Sequence, residues 1–188
     1  VMDSVGELVK FDCSNNDLMT LDVSQCLKLE ELNCSGNQLM ELDVGHQTQL
    51  TQLDCSNNKL TELNVKQNGG LISLICNDNQ LTTLDLSQNH SLSNLNCAKN
   101  RLACLDVTGI SGGTITANGN RRPIAVRTDG KFDLTTLPGF NVGKATNWNG
   151  GSVSGTILTV ENGKDEVSYQ YNCGNGVKPT FIFETSLP

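Results

Sequence analysis

Residues 50–70 read LTQLDCSNNKLTELNVKQNGG. The first half follows L-x-x-L-x-C-x-x-N-x-L, and the second half repeats that grammar as L-x-x-L-x-V-x-x-N. Stepping outward by 21 residues turns each position into a column. Cys55 belongs with Cys13, Cys34, Cys76 and Cys97, and Asn58 with Asn16, Asn37, Asn79 and Asn100. Leu50, Leu53, Leu60, Leu63 and Val65 each lie in a column that is apolar in every copy. A fixed period held in so many columns marks a repeat architecture, in which each unit buries its apolar face only against its neighbours.

Each column has a physical reading. The alternation in L-x-C and L-x-V has period two, which predicts two short strands per unit with their apolar residues on one face. Stacked units put such strands about 4.8 Å apart in parallel register. The asparagine after L-x-C falls at the bend between half-units. Facing inward, its amide pairs backbone groups that otherwise cost about 1–3 kcal/mol each when buried. The bend of the second half holds Cys26, Gln47, Asn68 and Asn89, and this lower regularity predicts a looser bend. That half is short and rich in β-branched residues, Asp, Ser, Asn and Gly, which opposes a helix. Extended segments on both sides remove the spacing mismatch that bends helix-backed solenoids. A weakly curved coil about 24 Å long over its turns is expected.

The doubled consensus resembles a bacterial leucine-rich repeat class in which one short motif is nested in a 21-residue unit. The resemblance covers residues 8 to about 112. It implies a right-handed, mainly β solenoid of five turns and an exported or cell-surface protein of bacteria. Residues 1–7 then form a partial preceding turn or cap, with Met2 in the register of Val23. No methionine stands at position 1, so a processed or trimmed chain is expected.

The cysteine column lacks the C-x₂-C pairing of zinc sites, and side chains that point in parallel suit disulfides poorly. Its members read as small buried hydrophobes. Cys104 and Cys173 lie off that column, and either a disulfide between them or two free thiols is open. Asp22, Asp43, Asp85 and Asp106, with Asn64, form an acidic column in the second half. Calcium binding is one reading, and hydrogen bonding to Ser24, Ser87 and Thr108 two residues on is the other. No nucleophile, P-loop, Rossmann or zincin motif occurs, so no catalytic residue and no cofactor is assigned.

The outward positions of the first strand are Lys10, Asp12, Glu31, Asn33, Gln52, Asp54, Ser73, Ile75, Asn94 and Asn96. A repeat face of this kind is the usual ligand surface of solenoids, although this one lacks the aromatic and arginine residues that dominate hot spots.

Beyond residue 112 the period stops and the composition changes. All four prolines, 13 of the 18 glycines and seven of the eight aromatics lie past residue 108. Residues 1–112 hold 14 acids and 6 bases, whereas 113–188 hold 6 acids and 7 bases. Strands are predicted near 114–117, 123–127, 131–134, 153–160, 166–171 and 178–184, forming a small antiparallel β appendage that caps the solenoid. Phe140 and Trp148 stand in loop-like sequence; they are candidate anchors for a glycan or a protein, and packing in the core of a small β domain is the plainer reading. The net charge of −7 disfavours nucleic acid, and no stretch is apolar enough for a membrane helix. The expected function is a non-catalytic, monomeric module for protein interaction or adhesion. A structural spacer, or glycan binding through the aromatic segment, is the alternative.

Overall fold

The computed structural model describes residues 5–110 and 112–186; Met2 and Ser111 lie outside them. Six short strands, β1 (Lys10–Asp12), β2 (Glu31–Asn33), β3 (Gln52–Asp54), β4 (Ser73–Ile75), β5 (Asn94–Asn96) and β6 (Thr114–Thr116), form one parallel sheet in chain order. The register steps by 21 residues from Lys10↔Glu31 to Ser73↔Asn94, and by 20 in the last step, Asn94↔Thr114. The sheet therefore runs one strand past the fifth unit. Gly113 permits this shortened step: its φ is +98°, and a Cβ there would lie 1.9 Å from the Ser93 carbonyl oxygen.

The central residue of each strand, such as Leu32, Leu53, Leu74 and Leu95, points into a continuous buried core. Cys34, Cys55, Cys76 and Cys97 are fully buried beside them, while Cys13, at the open first turn, is half-buried. Burial pushes the Cys34 and Cys97 thiols up to about 12, and those of Cys55 and Cys76 well above their ordinary value. Cys104 and Cys173 are both free thiols.

The asparagine column works between turns. Asn58 Nδ2 donates to the carbonyls of Cys34 in the preceding turn (3.0 Å) and Cys55 in its own (3.1 Å). Its Oδ1 accepts from the Leu39 amide (3.0 Å). Asn37, Asn79 and Asn100 repeat the pattern, whereas Asn16 is exposed and bonds only within its own turn.

Two expectations for the second half need correction. The L-x-V segments alternate in burial, as in Leu42, Asp43 and Val44, and are extended, but they join no sheet. The bend after them is not loose either. Gln47, Asn68 and Asn89 are fully buried, and Asn68 Nδ2 donates to the carbonyls of Val44 (2.9 Å) and Gln47 (2.8 Å) one turn back. A second amide ladder thus replaces strand pairing on that side. The acidic column prepares this bend: the amides of Ser24, Gly45, Lys66, Ser87 and Thr108 donate to the side chains of Asp22, Asp43, Asn64, Asp85 and Asp106. Among the described residues no cluster of three potential metal ligands is present.

The appendage comprises β7 (Asn120–Ala125), β8 (Lys131–Asp133), β9 (Ala145–Asn149), β10 (Gly151–Ser154), β11 (Ile157–Val160), β12 (Glu166–Tyr171) and β13 (Thr180–Ser186). One sheet has the order β7-β13-β12-β9 and the other β10-β11-β8. All pairs are antiparallel except β13 with β7, which is parallel. The stretch expected as one strand over 153–160 is a hairpin that turns through Gly155, whose φ is +60°. Tyr169, Phe181 and Phe183 fill the interior.

The appendage packs onto the last turn. The Tyr169 hydroxyl donates to the Ala103 carbonyl (2.5 Å), and the Val107 amide to the Cys173 carbonyl (2.8 Å). Arg121, in β7, pairs with Glu184 (2.8 Å) and with Glu166.

Candidate binding face

Parallel pairing at a 21-residue step stacks like positions into two outward columns on the six-stranded sheet. One column runs Lys10, Glu31, Gln52, Ser73, Asn94. The other runs Asp12, Asn33, Asp54, Ile75, Asn96. They line a shallow depression of about 520 Å³ that reaches from Lys10 to Ile75. All ten sheet residues singled out in the sequence therefore share one surface.

The two columns differ in stiffness. In the second, Asp12, Asn33, Asp54 and Asn96 turn back to accept from the backbone amides of Ser14, Ser35, Ser56 and Ala98 at 2.9–3.2 Å. Each side chain caps the bend that follows its strand, and the bond from Ser14 holds the Asp12 carboxyl below its ordinary value. Ile75 has no such acceptor and is the apolar point of this column. The first column is freer and pairs across turns: Lys10 Nζ lies 2.7 Å from Glu31 Oε1, and Asn94 Nδ2 donates to Ser73 Oγ (3.0 Å). The Glu31 carboxylate raises the Lys10 ammonium above its ordinary value.

Phe140 and Trp148 are not part of this surface. Trp148 lies on strand β9, not in a loop, and stacks on Tyr169 with ring centroids 4.7 Å apart. Phe140 meets Tyr169 and Tyr171 at 5.6 and 5.4 Å. Both are half-buried in the aromatic core of the appendage. Sequence reasoning missed β9 because ATNWN carries little β-branched or alternating apolar signal. It also left unread a second depression, of about 720 Å³, along the residue 20–24 column and its repeats. Its sequence traces are the acidic column of Asp22 and Asp43, with Asn64, and the 21-residue spacing of Met40 from Met19.

No protein-family model matches the sequence. No curated protein resembles it at a significant level. Solved structures do. The functional domain of InlJ from Listeria monocytogenes, which includes a cysteine ladder, aligns over 99% of this chain and 64% of its own, at TM-score 0.56 and 20% identity. A leucine-rich repeat protein of Leptospira interrogans aligns over 61% of this chain and 32% of its own, at TM-score 0.56 and 25% identity. This chain thus spans less than two thirds of the length of either. The shared coil, with its sheet of parallel strands one repeat apart, makes this chain a leucine-rich repeat solenoid of the kind found in these bacterial proteins.

Proposed function

We propose that the chain is a non-catalytic protein-binding module of an exported bacterial surface protein, and that it holds its partner on the parallel-sheet face. The observation that carries this reading is the face itself: ten outward side chains over five strands, half of them in a column largely fixed by backbone bonds. Such a surface loses little freedom on binding, which favours recognition by polar contacts. Solenoids use their repeated surface in this way. A protein partner is favoured over a glycan because Phe140 and Trp148, the aromatic candidates, are packed against Tyr169. Export and a role in adhesion accord with the bacterial origin of both structural neighbours.

Immobilised protein, exposed to extracts of host matrix and of bacterial envelope, is expected to retain a specific partner. Glu31→Lys with Gln52→Lys takes the first column from zero net charge to +3 and leaves the bend-capping side chains in place, so it should weaken retention. Undiminished retention by that double variant would move the site off the sheet.

A further inference from the structure

The flank made by residues 19–22 and their repeats is covered at one end and open at the other. At the covered end, the appendage supplies each contact. The Tyr169 hydroxyl donates to the Ala103 carbonyl (2.5 Å), and Arg122 Nη1 to the Thr82 carbonyl (3.0 Å). The Cys104 thiol points to the Pro138 carbonyl (3.6 Å), and Lys144 Nζ reaches Asp106 Oδ2 (3.5 Å). The covering chain thus brings an aromatic ring to the 103 position, an arginine to the 82 position and a lysine to the acidic column.

One to three turns earlier the same columns lie bare. Where Ala103 is buried, Met19 and Met40 stand 68% and 67% exposed. The column of Cys104 carries Glu41 and Glu62, and the column of Asp106 carries Asp22 and Asp43, all four exposed. Met40 and the four carboxylates line the 720 Å³ depression, and Met19 adjoins its lining residue Thr20 in the chain. Among the described residues none of these four carboxylates is in an ion pair, while Asp85 and Asp106, nearer the appendage, pair with Lys66 and Lys144. The composition differs along the columns: Thr82, Ala103 and Cys104 stand at the covered end, Met19, Met40, Glu41 and Glu62 at the open end, and Thr61 between them. Methionine suits a surface that must adapt to an incoming side chain.

We propose that this open flank is a second docking groove, distinct from the sheet face, for an extended protein segment that alternates Lys or Arg with aromatic or aliphatic residues. It continues, toward the first turn, the covering that the appendage lays over the last. Successive solenoid turns lie about 4.8 Å apart and alternate residues of an extended chain about 6.8 Å apart, so neighbouring cations of such a segment fall within side-chain reach of carboxylates one to two turns apart. Its apolar side chains lie on Met19 and Met40.

The test uses the full chain with ¹³C-labelled methionine and isoleucine methyl groups, titrated at low salt with the synthetic peptide Lys-Phe-Lys-Phe-Lys and, separately, Glu-Phe-Glu-Phe-Glu. The expected result is saturable shifts of the Met19 and Met40 methyls with the lysine peptide alone. Affinity should fall roughly threefold or more in Glu41→Gln/Glu62→Gln, two exposed sites whose neutralisation leaves the fold intact. Equal response to both peptides overturns the proposal. So do methyl shifts confined to Ile75 on the sheet face, or unchanged affinity in the double variant.

Discussion

The asparagine column offers the most quantitative test of how the turns are joined. In Asn58→Ala, the Leu39 amide loses its only partner, the Asn58 Oδ1, in a fully buried position. The carbonyls that Asn58 served are less affected, because each keeps another amide: Asn37 for Cys34, and Asn79 for Cys55. The cost is then one orphaned buried donor at about 1–3 kcal/mol plus a modest loss at two shared acceptors, about 3 kcal/mol in all. With a urea slope of about 2 kcal/mol/M, the unfolding midpoint should drop by about 1.5 M. Asn16→Ala is the internal control. Among the described residues, Asn16 is exposed, donates only to Cys13 and Ser14 of its own turn, and accepts from no backbone amide. Its loss should cost no more than about 0.5 kcal/mol. Urea denaturation followed by circular dichroism measures both. If the two variants unfold within about 0.5 kcal/mol of each other, the inter-turn accounting is wrong, since only the bonds between turns distinguish them.

Four further outcomes are expected. Thiol reagents should leave Cys34, Cys55, Cys76 and Cys97 unmodified in the native protein and reach all of them after denaturation; fast native labelling would contradict their burial. The Cys34 and Cys97 thiols rise from 9.0 to about 12 on folding, so their contribution is present below pH 9 and lost as pH rises toward about 12. Stability should fall over that window, and Cys34→Ala/Cys97→Ala should flatten the slope. Trp148→Ala removes a half-buried ring stacked on Tyr169 and should cost about 2 kcal/mol, below the 3–5 typical of full burial; a change under about 0.5 kcal/mol would mean the ring packs on nothing. Asn175→Ala deprives the Val107 and Ile110 carbonyls of a donor and should lower the urea midpoint by about 0.5–1 M more than Asn147→Ala, an exposed change in the same appendage that carries the same left-handed backbone cost (φ +52° and +54°).

The solenoid was legible because every turn must solve the same packing problem, so the solution is written five times. Column identity reports the strictness of each constraint. At the first bend the amide must accept from one backbone N–H and donate to two carbonyls at once, and only asparagine occupies it in the sequence. At the second bend the side chain only donates across turns. The carbonyl oxygens of Gln47, Asn68 and Asn89 meet no partner, so the longer Gln47 serves as well as asparagine, and the first turn, with no preceding described turn to reach, carries Cys26. The lower regularity of this column signalled a one-sided hydrogen-bonding demand, and reading it as looseness confused variety with slack. The appendage was less legible because each of its contacts is made once. The parallel pairing of β7 with β13 joins residues some 60 positions apart, and no local pattern encodes that choice. For the sheet face, position was readable from the period alone. The division into a column bonded to its own backbone and one paired across turns was not, because Asp12 and Lys10 are both simply outward and charged until the Ser14 amide is seen to claim one of them.

A solenoid must end somewhere, and the end would expose the groups that a next turn would satisfy. Here both ladders are completed from outside the repeat. Asn120, at the start of β7, accepts from the Leu102 amide (3.1 Å) and donates to the Cys97 carbonyl (3.2 Å), as Asn100 does for Leu81 and Cys76 one turn earlier. On the other side, Asn89 donates to the Val65 and Asn68 carbonyls. The corresponding carbonyls at the terminus, Val107 and Ile110, receive Asn175 Nδ2 at 2.7 and 2.5 Å. Asn175 belongs to the turn between β12 and β13, far along the chain from the repeats. The appendage therefore imitates the amide pattern of a further turn at both bends while carrying none of its sequence. Its attachment is consequently not set by apolar burial alone, which would tolerate sliding. The two asparagines fix it in register, and that register carries Lys144 to Asp106 and Tyr169 to Ala103 on the covered flank. The boundary between the covered and the open part of that flank then follows from where the ladders stop.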